Sequence, residues 1–533
     1  MRILFSVRKP SNVRHYDSVL RELAARGHEI DLSKERIGAK HWPPFVMALA
    51  EAHPNIRLSD SPSLVQNPWW ELATRLRRAR FYLRFFAPAY RDAPALLERA
   101  RRRSPDPAVW LAEAPGVGAR GRRLLARIID ALEQSTRSAD LFHDYLRESR
   151  PDLVILTPLV VLKTTQLDIA RAARELGIRN LFGVASWDHL SSKGELAFQP
   201  QHVTVWNEFQ RREAIELHGI DRDRIVVTGA QLFDEWFERR PSTTREEFCA
   251  RVGLRHDKPI VLYVCSSMLE GSPPEPPFVL QWLRHLRESG HPVLQECGVL
   301  VRPHYQSTAA WQGIDVTGLE QAVCWPPLGD APVDARSKAN YFDSMYHAAA
   351  VVGINTSAMI EAAIVNRPVY TVELPEFRDS QAGTVHFHYL QEPSAPLLRS
   401  SRTLDEHSRA LAHVLEGSDP EPDRSARFVR SFVRPGPATT PATTMLADSV
   451  EAFGAGPAPA PVPAPAWTRI LHPFLWPSAQ AARRRAIRIE QEALRLKAER
   501  RQQHQENKRL QSEERRRQRL ASRQHGRPED ASP

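Results

Sequence analysis

Short, wholly apolar runs along this chain alternate with stretches in which apolar residues recur every three or four positions, the pattern of strands alternating with helices. Met1 to Val7 reads as a first strand, followed by a polar loop and a helix from about His15 to Arg26 that Gly27 would cap. From Pro68 to Glu148 the period is helical throughout. There Trp69, Trp70, Phe81, Tyr82, Phe85 and Phe86 recur among many arginines, as either a core-facing stripe or an interfacial surface. Alternation then resumes, with strands at Asp152–Thr157, Asn180–Ala185, His202–Trp206 and Ile225–Thr228 and helices at Thr164–Leu176 and Glu208–His218. A second series runs from Ile260–Cys265 through Gly298–Val301 and Val323–Trp325 to the unit Val351–Val372.

Strands alternating with helices place the fold in the α/β class, and two series imply two doubly wound, Rossmann-like domains. The first is expected over 1–235, with a helical insertion at about 68–148, and the second over 236–433; their boundary falls between Gly229 and Pro259. The cleft between them is the expected site. Beyond Val433 the pattern lapses. Residues 434–466 are Pro/Ala-rich and read as linker, and 467–533 combine an aromatic patch, WTRILHPFLW, with a basic helical tail.

Composition narrows the class. No apolar run approaches the ~18–20 residues of a membrane span. The N-terminus has no signal-peptide apolar region, and Cys249, Cys265, Cys297 and Cys324 are scattered, with no CxxC pair and no histidine at zinc spacing. A reducing, cytoplasmic location is expected. The net charge of +10 is concentrated: Ala481 to Leu520 holds 14 Lys and Arg against 6 Glu. With the body close to neutral, nucleic acid is not an expected partner. The tail fits either a solvated, partly helical segment or an anchor to an anionic membrane surface at the inner face of the plasma membrane.

The densest candidate chemistry lies in VVGINTSAMIEAAIVNRPVYTV, Val351 to Val372. Thr356 and Ser357 stand where a helix must start, and free N–H groups there seat a phosphate. Glu361, one turn later, suits two ribose hydroxyls; the alternative is an ordinary strand–helix–strand unit with Glu361 on a solvated face. Further polar clusters stand at predicted strand ends. His15 follows strand one, and SWDHLSSKG (Ser186 to Gly194) carries Asp188; either residue could accept a proton or be an ordinary surface or turn residue. Gly229 lets backbone approach a hinge or a ligand, Ser266 leaves a strand of the second domain, and Arg302 and His304 follow the next strand, with a guanidinium fork suited to phosphate. Gly116, Gly118 and Gly121 match GxGxxG, but no strand precedes them, so they are not read as a dinucleotide site.

Taken in order, SWDHLSSKG, VWNEFQRREAIELHGIDRDRIVVTGAQLFD, VRPHY and FDSMYHAAAVVGINTSAMIEAAIVNRPV resemble the GT-B superfamily of nucleotide-sugar glycosyltransferases. The nearest groups by resemblance are the sugar-nucleotide 2-epimerases and the CDP-glycerol glycerophosphotransferases. The resemblance implies a nucleotide in the second domain, with Glu361 on the ribose, Thr356 and Ser357 near the diphosphate, Arg302 and His304 beside it, and Gly229 and Ser266 in the same set. It implies His15 or Asp188 as base, a nucleotide-sugar as donor substrate with no metal or other cofactor, and a glycan or lipid-linked acceptor. Polyol-phosphate transfer from a CDP-alcohol and 2-epimerisation are the alternatives within enzymes; a silent GT-B body serving as a membrane-recruited scaffold is the alternative outside them. The insertion and the tail depart from the epimerase pattern.

Overall fold

The computed structural model describes residues 1–36, 41–136, 139–267, 272–316, 318–437 and 439–524. One sheet contains β1 (Arg2–Val7), β2 (Glu29–Lys34), β3 (Ile56–Asp60), β4 (Leu153–Thr157), β5 (Arg179–Gly183), β6 (His202–Val205) and β7 (Ile225–Val227), in spatial order β3-β2-β1-β4-β5-β6-β7. The other contains β8 (Ile260–Val264), β9 (Gly298–Arg302), β10 (Ala322–Cys324), β11 (Ala350–Gly353), β12 (Val369–Val372) and β13 (Leu398–Ser401), in order β10-β9-β8-β11-β12-β13. All of these pairings are parallel. The fold is therefore α/β with two doubly wound domains. Each sheet reverses its winding beside its first strand, at β1/β4 and at β8/β11, and such switch points are where this topology leaves a crevice for ligands.

The central strands are apolar at nearly every position because both faces are covered. β4 (LVILT) and β8 (IVLYV) are buried throughout. Alternate residues serve opposite layers: Ile3, Phe5 and Val7 pack with Val19, Leu20 and Leu23 of the helix Asp17–Ala25, while Leu4 packs with Val154, Leu156 and the helix Gln166–Leu176. In the second sheet Ile260, Leu262 and Val264 face one core, Val261, Tyr263 and Cys265 the other.

Three strands and one helix were not expected. β2 and β3 are polar as sequence, yet their polar groups satisfy each other: Asp31 accepts from Arg57 and Ser59 at 2.5 Å each, and Lys34 meets Asp60 at 2.6 Å. β13 is short and mostly polar, LRSS, at the sheet edge. The expected linker over 434–466 needs correction. Ala442–Ala455 is a helix that buries Leu446, Ala447 and Val450 against the first domain. Asp234 caps it, accepting from Thr443 N at 2.7 Å, and Arg26 meets Asp448 and Glu451 at 2.7 Å. The chain thus crosses back from the second domain to the first.

The insertion folds into the helices Trp70–Arg84, Pro94–Arg103, Asp106–Glu113, Ala119–Gln134 and Ala139–Ser149. Phe81, Tyr82 and Phe85 are buried in its own core, so the aromatic stripe faces inward. An apolar seam joins the domains, in which Trp187 and Trp206 of the first pack with Phe387 and Phe432 of the second. Asn207 Nδ2 donates to Phe432 O and Ala230 N to Val433 O, both at 2.8 Å.

Candidate functional site

At the β8/β11 switch point, short connections end in polar groups that tie the two strands together. Ser266, buried, accepts from Asn355 N at 3.2 Å and donates its own N–H to Glu275 at 2.7 Å. The N–H groups of Thr356 and Ser357 donate to nothing among the described residues. Ser357 precedes the helix Ala358–Ile364, which carries Glu361. Glu361 accepts from Tyr341 OH at 2.5 Å; its other oxygen takes no hydrogen bond among the described residues. Burial pushes this carboxyl up to about 7, opposed by the Tyr341 bond and by Arg14 and Arg302.

Arg302 ends β9 and is 4% exposed. Its guanidinium lies over Tyr341 and Trp325, at 4.9 and 5.6 Å, and donates through Nη1 to Ser344 at 3.1 Å. Nη2 is buried with no partner. A buried, unpaired guanidinium nitrogen is costly, and an anionic ligand would remove that cost. Burial lowers the Arg302 pKa, opposed by Tyr341, Asp330 and Glu361. His304, half-buried two residues on, is lowered by burial and then by Arg14.

Arg14 belongs to the other domain. It sits on the short 3-10 turn Pro10–His15 after β1, and its charge reaches Glu361, His304 and His15. His15 is held through its carbonyl, which accepts from Gln231 Nε2 at 3.0 Å, and its Nδ1 is buried without a partner. Burial, then Arg14 and His189, lower its pKa to about 3, with Asp188 opposing.

The loop after β5 completes the first domain's side. Asp188 accepts from Ser186 Oγ at 2.6 Å and pairs with Lys193 at 2.8 Å. Burial works against its charge, but Lys193, His386 and His189 outweigh that and hold it well below the carboxylate range. Asp188 is therefore a firmly ionised group already committed to a lysine, an orienting charge more than a base. His386, from the second domain, bridges the cleft: Nδ1 lies 3.0 Å from Ser192 Oγ, Nε2 3.4 Å from Asn355 Nδ2, and its ring stands edge-on to Trp187. Burial lowers it to about 4.

Four carbonyls of this loop, at positions 190, 191, 192 and 194, are gripped by the insertion. Arg84 donates to Leu190 O and, at 3.1 Å, to Gly194 O; Tyr90 OH donates to Ser191 O at 3.0 Å, and Arg99 to Ser192 O at 2.7 Å. A Cβ on Gly194 would overlap the Val160 carbonyl, so the loop is pressed against its own domain as well.

Of the residues singled out in the sequence, His304 and Glu361 share the field of Arg14, Arg302 acts on Glu361, Ser266 is bonded to Asn355 beside Thr356 and Ser357, and His15 and Asp188 lie close enough to influence each other. Gly229 lies elsewhere: at φ +83, its missing Cβ leaves room for Ala442 Cβ and the Val433 carbonyl, so it serves the returning chain and not a nucleotide. Sequence reading missed Tyr341, Arg14 and His386. Tyr341 is 20 residues from its partner Glu361, and His386 is 194 from Ser192, separations at which no local pattern exists. Among the described residues no group of three or more His, Cys, Asp or Glu is placed to hold a metal ion.

No protein-family model matches the chain, and no curated protein matches it. Solved structures do. A UDP-GlcNAc 2-epimerase from Neisseria meningitidis bound to UDP-GlcNAc is 10% identical, over 85% of this chain and 100% of its own, with a TM-score of 0.48. A glycosyltransferase from Rickettsia africae is 11% identical over 85% and 97%, at 0.46. WaaG, a glycosyltransferase involved in lipopolysaccharide biosynthesis, is 11% identical over 85% and 100%, at 0.44. These fall in the groups that the sequence motifs resemble. At such identities and scores they carry no functional weight, and the fold stands on the strand orders themselves.

Proposed function

We propose that the protein is a metal-independent glycosyltransferase that moves a sugar from a nucleotide-sugar donor to a surface glycan or lipid-linked acceptor. The observation that carries this reading is that unfilled polar groups of both domains lie within reach of Arg14: the open oxygen of Glu361, coupled to Arg302 with its unpartnered Nη2, in the second domain, and Nδ1 of His15 in the first. Glu361 takes the ribose hydroxyls. Arg302 and Arg14, with the N–H groups of Thr356 and Ser357, take the diphosphate and stabilise the charge it gains on leaving.

The acceptor oxygen bonds to the anomeric carbon as the carbon–oxygen bond to the diphosphate breaks, the diphosphate keeps the electron pair, and the acceptor proton passes to His15. One base acting alone gives inversion. With its pKa near 3, His15 is neutral but weakly basic in the free protein. A diphosphate beside it favours the protonated ring and raises its basicity when donor is bound. Asp188 and Lys193 hold the loop's charge on the acceptor side.

The test is release of nucleoside diphosphate from a panel of nucleotide-sugars, with and without an acceptor fraction extracted from cell envelope. Acceptor-dependent release that His15→Ala abolishes supports the reading. Conversion of a nucleotide-sugar to its epimer, or no release from any donor, overturns it.

A further inference from the structure

We infer that the helical insertion and the first turns of the C-terminal helix together form one docking face for an anionic lipid surface. The C-terminal helix, Ala466–Gln524, is fixed to the insertion through Trp69, whose ring meets Trp476 at 5.2 Å and His472 at 5.0 Å, and it packs along the helices Trp70–Arg84 and Ala119–Gln134. Its inward face carries Thr468, Ala479 and Ala482. Its outward face carries Trp467, Ile470 and Phe474 at helical spacing, with Ile470 66% and Phe474 75% exposed. Ala119–Gln134 buries Ile129 and Glu133 yet exposes Leu124 and Ile128, one turn apart, and the adjoining Asp106–Glu113 exposes Trp110 at 72%. Each helix already buries an opposite face, so these side chains have no core left to enter.

Charge selects the occupant. Exposed Arg123 and Arg127 flank Leu124 and Ile128, and exposed Arg469, Arg484 and Arg485 share the C-terminal helix with Ile470 and Phe474. No acidic residue lies between Gly118 and Ile129 or between Ala466 and Ile489. A second copy of this chain would bring arginine against arginine. Lipid phosphates meet the arginines while the tryptophan and phenylalanine rings settle at headgroup depth, and arginine stems lie along the apolar stripe. No described helix is long and apolar enough to cross a membrane, so the contact is one that lies on the surface. The inference stands apart from the transferase reading, since lipid binding decides the one and nucleotide turnover the other.

The test is flotation of the full chain with vesicles of phosphatidylcholine alone or mixed with phosphatidylglycerol. The protein is expected to float only with the anionic vesicles and less so at high salt. Ile470→Glu/Phe474→Glu and, separately, Leu124→Glu/Ile128→Glu are each expected to weaken binding at least about tenfold. Arg123→Gln/Arg127→Gln, which leaves every apolar residue in place, is expected to weaken it as well and covers the case in which a glutamate pair disturbs folding. No flotation with anionic vesicles overturns the inference. So does binding unchanged by both insertion variants, which would leave the tail alone responsible, or self-association of the free protein that Ile470→Glu/Phe474→Glu removes.

Discussion

Glu361 sits where its charge is unwelcome: burial pushes its carboxyl from 4.5 up to about 7, against the opposing effects of Tyr341, Arg14 and Arg302. A raised carboxyl contributes stability that is fully present below its unfolded value and lost as pH rises through the folded one. Glu361→Gln is therefore expected to match the native protein at pH 5 and to be more stable at pH 8, by about 1–3 kcal/mol, as read by thermal unfolding at the two pH values. An equal difference at both would show that the carboxylate is not strained. A group kept at such a cost is the kind a binding site retains. Glu361 itself was legible, one turn after a strand-ending Asn-Thr-Ser, whereas its environment was not: Tyr341 and Arg302 arrive from other elements and Arg14 from the other domain. Gly229 was misplaced because a glycine at a strand end looks alike whether ligand or backbone fills the space.

Among the elements, the loop after β5 is held by its carbonyls, and the holders are on the insertion. Tyr90→Phe removes one such donor at a cost of about 1 kcal/mol, and Arg99→Ala another. Together they are expected to speed amide exchange over 186–196 while leaving the β8–β13 sheet unchanged, as measured by hydrogen–deuterium exchange. Uniform protection would mean that the insertion is not a support. Gly194→Ala is expected to unseat the same loop, since its Cβ has no room beside Val160. The loop could be read from sequence as a polar run after an apolar strand, and the insertion as helices. Their connection could not, because Arg99 and Ser192 are 93 positions apart and the contact is made to main-chain carbonyls, which every residue possesses. β2 and β3 escaped for a related reason: their buried charges pay for themselves only in cross-strand pairs.

For the whole molecule, the two sheets were legible because central parallel strands are apolar on both faces, and their repetition marks two domains. The return of the chain was not, since Ala442–Ala455 is hidden among Pro/Ala-rich neighbours and its value lies in Asp234, Arg26 and the helix Asp17–Ala25. A fragment ending at Val433 would expose Leu446 and Val450 partners on the first domain, at about 1.5–3 kcal/mol for each large side chain. Residues 1–433 are thus expected to melt well below 1–465, and equal melting temperatures would deny the crossing helix its structural role. The central claim is that the cleft holds a nucleoside diphosphate between Arg302 and Glu361. Titration calorimetry of the full chain with UDP, GDP and CDP tests it most directly: saturable binding of one of them, weakened at least about tenfold by Arg302→Met and by Glu361→Gln, is the result predicted. Binding of none, or binding that both substitutions leave unchanged, would contradict it.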